Sequence, residues 1–222
     1  MRAGNKSIEL YSAQQAGAPL IILNTFDNEG AEVLEEVRKL TQADFSLVTV
    51  SGLSWDDDMT PWPHEGIMKG DTPYGGRADI YIAELEAILS QVGKELGTKP
   101  VWTGLAGYSL GGLFALYAMY RTKLFSRIAS ASGSMWYPDF AEYAVSHEPP
   151  AKPERLYFSL GDKEAKTRNP ILSRVEENTQ ALYEHYRAQG ITTVFELNPG
   201  NHFKDNALRM AKGIAWLLKD QG

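Results

Sequence analysis

Two kinds of apolar pattern alternate along the chain, and this alternation restricts its architecture more than any other feature. Short β-rich runs occupy residues 7–11, 20–23, 45–50, 101–106, 127–131, 155–160 and 193–197. Between most of them, residues 32–40, 80–96, 110–120, 171–189 and 206–218 carry apolar side chains at spacings of three and four, the helical period. A helical crossover returns the chain to the same end of a sheet, so strands joined this way run parallel and need helices over both faces. The expected fold class is therefore α/β: a mostly parallel central sheet inside a three-layer α/β/α sandwich. At 222 residues one domain spanning 1–222 suffices. Its active site belongs at the carboxyl ends of the strands.

The fourth run leads into Gly107-Tyr-Ser109-Leu-Gly111, and the helical pattern follows at once with Leu113, Leu116, Tyr117 and Tyr120. The five letters alone carry little weight. Their setting, a buried strand before and a helix after, is what a nucleophilic serine requires. A serine on that sharp turn is held in strained geometry with its hydroxyl outward, and the glycines let strand and helix approach. The amide of Leu110, at the helix N-terminus, then faces any oxyanion formed beside Ser109.

A nucleophilic serine needs a base, and the chain has four histidines. On such a sheet the partners follow the serine in the order acid, then histidine, which disfavours His64. His147 lies in a polar, proline-bearing stretch, and His185 falls off the apolar stripe of its helix. His202 remains, in Asn198-Pro-Gly-Asn-His202-Phe, directly after the last strand pattern. The acid is expected after the preceding strand, in Gly161-Asp162-Lys-Glu164. Glu164 is favoured for its reach, and Asp162 is the alternative, since Asp beside Gly often caps its own turn. The second oxyanion donor is expected from the loop after residues 20–23, at the amide of Thr25 or Phe26.

Residues 51–78 form a long connection rich in Trp and Tyr, expected to be an ordered loop over the active site, with Trp62 on the pocket wall. Asp56-Asp57-Asp58 with His64 could suggest a metal site, but no ligand set closes around them and no metal is expected. A net charge of −6 argues against nucleic-acid binding. The absence of cysteine excludes disulfides, Cys-based zinc and thiol catalysis. No apolar leader follows Met1 and no run approaches a membrane span, so a soluble, cytoplasmic protein is expected.

With the serine, acid loop and histidine in place, the chain resembles esterases of the α/β-hydrolase superfamily, the esterase D-like proteins and the siderophore (enterochelin) esterases. The likeness covers most of the chain. Besides Gly107-Tyr-Ser-Leu-Gly-Gly, it rests on Asp58-Met-Thr-Pro-Trp, Tyr74-Gly-Gly-Arg-Ala-Asp-Ile-Tyr, Ser132-Gly-Ser-Met-Trp-Tyr, Gly161-Asp-Lys-Glu and Gly200-Asn-His-Phe. The resemblance implies an α/β-hydrolase fold, Ser109 as nucleophile, His202 as base and Glu164 as acid. It also implies that Trp136 lines the substrate pocket; Tyr108, beside the serine, is assigned there too. Two features depart from the pattern. An additional N-terminal substrate domain is not expected, and the oxyanion loop reads Asn24-Thr-Phe where the family usually has Asp-Gly or His-Gly. The expected function is therefore hydrolysis of a small carboxylic ester through an acyl-enzyme, without cofactor. Acyl transfer on the same scaffold and a non-catalytic binding protein are the alternatives.

Overall fold

The computed structural model describes residues 1–68 and 70–219. In chain order the elements are β1 (Arg2–Ala3), β2 (Lys6–Tyr11), β3 (Leu20–Asn24), α1 (Gly30–Leu40), β4 (Ser46–Ser51), α2 (Trp55–Asp58), β5 (Pro63–His64), β6 (Tyr74–Gly75) and α3 (Ala78–Leu96). There follow β7 (Thr103–Tyr108), α4 (Leu110–Arg121), β8 (Arg127–Ala131), α5 (Phe140–Ser146), β9 (Arg155–Gly161), a 3-10 turn (Leu172–Arg174), α6 (Val175–Ala188), β10 (Thr192–Asn198) and α7 (Asn206–Leu217).

Eight strands make the main sheet in the order β1-β2-β4-β3-β7-β8-β9-β10. From β4 to β10 every neighbouring pair is parallel; β2 runs antiparallel to β4, and β1 to β2. Side chains alternate between the two faces, as the two-residue period of a strand demands. Ile22, Val48, Leu105, Ile128 and Leu156 join one core with α3, α4 and α6. Their neighbours Ile21, Leu47, Ala106, Ala129 and Tyr157 join the other, with α1 and α7. Helices therefore cover both faces. α4 is buried along its whole length except Arg121, which explains a sequence apolar on every side.

The sequence pattern places the fourth run two residues early: β7 reaches Tyr108, so the sheet's last rung ends immediately before Ser109. β1, β5, β6, α2 and α5 have no counterpart in the pattern, because elements of two to seven residues complete too few periods to show one. The connection 51–78 is not a simple loop. It contains α2 and a separate two-stranded sheet pairing Pro63 with Gly75 and His64 with Tyr74.

The chain winds outward from β3 in both directions, first to β4 and later to β7. Connections leaving the carboxyl ends of β3 and β7 thus part to opposite sides, and a crevice opens between them. Asn24 ends β3, and Ser109 follows β7.

Candidate active site

Ser109 has φ 57° and ψ −123°, a conformation costly for any residue with a Cβ. The turn is held from several sides. The Ser109 amide donates to the carbonyl of Ala131 on β8 (3.2 Å), while its carbonyl accepts from Gly112 (3.0 Å), Leu113 (3.1 Å) and Ser134 (3.0 Å). The geometry also needs Gly107, since a Cβ there would lie 2.2 Å from the carbonyl oxygen of Gly111. Gly107→Ala is expected to cost about 1–3 kcal/mol through overpacking, read as a lower urea midpoint with unchanged slope. The Leu110 amide opens the first turn of α4, where no carbonyl four residues back within the helix can accept it.

A hydrogen-bonded chain runs from this hydroxyl. His202 Nε2 lies 3.0 Å from Ser109 Oγ, and His202 Nδ1 lies 2.7 Å from Glu164 Oε2. Three loops at the carboxyl end of the sheet supply these groups: β7–α4, β9–α6 and β10–α7. Asp162, the alternative acid, faces elsewhere. Its Oδ1 accepts from the Gly200 amide at 2.7 Å, tying the acid loop to the histidine loop. The backbone reinforces that seam through Lys163 N to Gly200 O (3.1 Å) and Asp162 N to Asn198 O (2.8 Å).

The other carboxylate oxygen of Glu164 is equally committed. Oε1 accepts from Ser132 Oγ (2.8 Å), the Gly161 amide (2.5 Å) and Arg209 Nη1 (2.9 Å). Burial alone would raise the Glu164 pKa. The hydrogen bond and charge of His202, with the Gly161 and Ser132 donors, outweigh it and hold the carboxyl below its ordinary value of 4.5. Arg209 is 1% exposed. Its Nη1 also reaches Ser132 Oγ (3.0 Å) and the Tyr108 hydroxyl (3.3 Å), and its Nη2 donates to the carbonyls of Asn201 (3.0 Å) and Pro199 (3.3 Å). Tyr108 in turn donates to the His202 carbonyl at 2.6 Å. One guanidinium therefore braces Glu164 and the loop bearing His202.

A cavity of about 1190 Å³ opens over Ser109 and His202, lined among others by Phe26, Trp55, Tyr108, Phe203 and Asp205. Trp55, at the start of α2, is how the 51–78 connection meets the site; a Cβ on Gly111 would lie 3.0 Å from its ring. Two expected pocket residues lie elsewhere. Trp62 packs among Tyr117, Tyr137, Phe140 and Tyr143 with ring centroids 5.5–6.4 Å apart, and its Nε1 donates to the Pro138 carbonyl at 3.2 Å. Trp136 lines a separate cavity of about 470 Å³ with His64, Asp139 and Ile171. The reason is the turn before it, which aims Ser134 at the serine (Oγ to Oγ 3.4 Å), while Asn178 Nδ2 pins the Met135 carbonyl at 2.7 Å. Trp136 is thereby carried past the site and against Tyr74 and Tyr137.

The oxyanion loop also differs from expectation. The Thr25 amide is spent on the Val50 carbonyl at 2.9 Å, extending the sheet by one bond. The Phe26 amide donates to Glu29 Oε1 at 3.0 Å, and Asp27 N to Glu29 Oε2 at 2.8 Å. An internal carboxylate thus sits on the Phe26 donor. The aspartates of 56–58 bind protein groups: Asp58 pairs with Lys6 at 3.3 Å, and Asp56 accepts from Thr72 at 3.3 Å. Among the described residues there is no cluster of His, Cys, Asp and Glu able to hold a metal ion, and no helix long and apolar enough to cross a membrane.

Arg209, Ser132 and Ser134 are site residues that the sequence reading missed as such. The two serines lie in a motif quoted for its resemblance, without assigned roles. Arg209 left no signal, because it occupies an ordinary helical position that becomes buried only where three loops meet.

A mostly parallel sheet with helices on both faces and an elbow serine at its carboxyl edge defines the α/β-hydrolase class. The family described as "Putative esterase" matches residues 29–209, and the chain belongs to it; it is a carboxylic-ester hydrolase. The chain is similar to the uncharacterized protein YbbA of Bacillus subtilis (strain 168), 25% identical over 237 residues that span 97% of this chain and 94% of that one. In fold it is similar to an IroE-like serine hydrolase from Shewanella oneidensis (TM-score 0.77, 16% identity, 96% of this chain and 75% of that one). The siderophore hydrolase EstA from Aspergillus nidulans has a TM-score of 0.69 at 18% identity, over 98% of this chain and 96% of that one.

Proposed function

We propose that the protein hydrolyses carboxylic esters through an acyl-enzyme, with Ser109 as nucleophile, His202 as general base and then general acid, and Glu164 as the carboxylate that orients the imidazole. The observation that carries this is the continuous path Ser109 Oγ to His202 Nε2 (3.0 Å) and His202 Nδ1 to Glu164 Oε2 (2.7 Å), opening on a cavity. Glu164, ionised and acceptor-only, holds the proton on Nδ1, which leaves the Nε2 lone pair facing the serine.

As Oγ attacks the ester carbonyl, its proton passes to Nε2 and the carbonyl electrons become an oxyanion near the Leu110 amide. Collapse expels the alcohol, which takes the proton from Nε2. Water then attacks the acyl-enzyme, His202 receives its proton, and the acid leaves as Ser109 regains a hydrogen. Phe26 can supply the second oxyanion donor once the Glu29 carboxylate yields its amide. The His202 side chain is 29% exposed, so water can reach the acyl-enzyme beside it.

The direct test is intact mass after a fluorophosphonate probe. One adduct mapped to Ser109, and greatly slowed in His202→Ala, supports the mechanism; no labelling of the folded protein refutes it. Glu164→Gln supplies a second test. Because the folded pKa of Glu164 lies below its unfolded value, its stabilisation is present above about pH 4.5 and lost as the pH falls through the folded value. The variant should therefore lose less stability than the parent as the pH falls below about 4.5 in urea unfolding. Its kcat should fall about 10³-fold or more, since an amide can donate to Nδ1 and move the imidazole proton to Nε2.

A further inference from the structure

The cavity over Ser109 has an uneven charge. At the chain's composition of 28 acidic and 22 Lys or Arg residues in 222, seventeen lining residues would carry about two of each sign. Among the described residues the lining holds five carboxylates and no Lys or Arg. Two are occupied: Glu29 holds the Phe26 and Asp27 amides, and Glu36 pairs with Lys39 at 2.6 Å. The other three, Asp27, Glu32 and Asp205, form no ion pair among the described residues. Glu32 lies in the first turn of α1, where the helix dipole favours it; it lines the cavity and feels the charge of Lys39 without forming an ion pair with it. Asp205 precedes α7 at φ 56° and makes no capping bond with its side chain. The side-chain carbons of the neighbouring Lys204 lie over Gly200, and Lys204 forms no ion pair with Asp205.

Aromatic rings form the second feature of the same cavity. Phe203, next to the base, is 82% exposed, and Phe26, on the oxyanion loop, is 70% exposed. Phe26 meets the Trp55 ring edge-on at 5.4 Å. Large rings left uncovered beside a nucleophile mark a surface that a ligand covers. Ring faces under a negative potential favour an alkylated cation, which gains from both and loses little hydration.

We infer that the substrates are esters bearing an alkylammonium group, bound with the cation between Phe26 and Phe203 and facing Glu32 and Asp205. This rests on the hydrolase reading above and names its substrate class. Anionic esters are disfavoured by the same field.

Three butyryl esters test it: that of choline, its neutral isostere 3,3-dimethylbutyl butyrate, and the anionic ester of 2-hydroxyethanesulfonate. The expected order of kcat/KM is cation, neutral, anion, with about tenfold between steps at about 20 mM salt, shrinking to about twofold at about 500 mM. The double variant Glu32→Gln, Asp205→Asn should lower the cation-to-neutral ratio about fivefold, whereas Glu95→Gln, Glu148→Gln, with the same change in net charge, should not alter it. A ratio is used so that partial misfolding cancels. Hydrolysis that depends on Ser109 but shows equal or faster turnover of the neutral ester overturns the cation assignment and leaves the hydrolase reading intact. No hydrolysis of any ester, together with no fluorophosphonate adduct, overturns both.

Discussion

Replacing Ser109 with alanine is expected to reduce kcat/KM for a carboxylic ester by about 10⁴-fold or more, with unfolding free energy within about 1 kcal/mol of the parent. The two results belong together. Removing Oγ eliminates the proposed nucleophile, and a residual rate from binding and oxyanion contacts sets the floor. The fold loses little, because the hydroxyl's contacts are His202 Nε2 and a 3.4 Å approach to Ser134, while the backbone bonds that shape the elbow remain. Ser109→Gly sharpens the point. It abolishes turnover equally, yet removes the Cβ that makes φ 57°, ψ −123° costly, and should raise stability by about 1 kcal/mol. A more stable but inactive glycine variant would show that strain at the elbow is retained for chemistry. An alanine variant with near-parental turnover would refute the nucleophile.

Arg209→Met carries the second large effect, a loss of about 3–5 kcal/mol in urea unfolding. The guanidinium is 1% exposed and binds Glu164 Oε1 together with the carbonyls of Pro199 and Asn201. Methionine fills much of the space but leaves Glu164 short of its cation and takes the guanidinium donor from the Pro199 carbonyl, while Asn201 keeps only the Lys204 amide at 3.3 Å. Arg209→Lys separates stability from positioning. It keeps the charge, and an ammonium cannot span acid and loop in the same plane as the fork does. This variant should recover at least half of the stability, while Ser109 labelling by fluorophosphonate, measured where it is fully folded, stays about tenfold slower than in the parent. Parental labelling in Arg209→Lys would assign Arg209 to stability alone.

Much of this site can be read from residue order, and some of it cannot. Ser109 and His202 are legible because each follows a β-rich run at a turn, and strand ends are where a doubly wound sheet collects its functional groups. Glu164 and Asp162 are both legible as candidates, being two residues apart on one loop. Their separation needed the tertiary seam: Gly200 takes the Asp162 carboxylate, and Glu164 is left beneath His202. Trp62 reads as a pocket residue because aromatic residues in an active-site connection usually line it, and Trp136 because the family resemblance implies it. The destination of Trp136 depends on where a turn pinned by Asn178 points, a contact 43 residues away in sequence, and that of Trp62 on the Pro138 carbonyl, 76 residues away. The elements missing from the pattern, α2, α5 and the β5–β6 pair, are shorter than the window over which periodicity is visible.

By itself the sequence determined the layered α/β architecture, the parallel order of most strands, the elbow at Ser109 and the histidine that follows the last strand. These depend on local pattern and on rules of chain connection, and both are written in consecutive residues. Only the tertiary structure decided which carboxylate meets His202, that buried Arg209 braces it, that Glu29 occupies the Phe26 amide, and that five carboxylates share a cavity with two exposed phenylalanines. Each of these is a contact between loops far apart in the chain. Their geometry is set by how the strand ends are brought together, which no local stretch encodes.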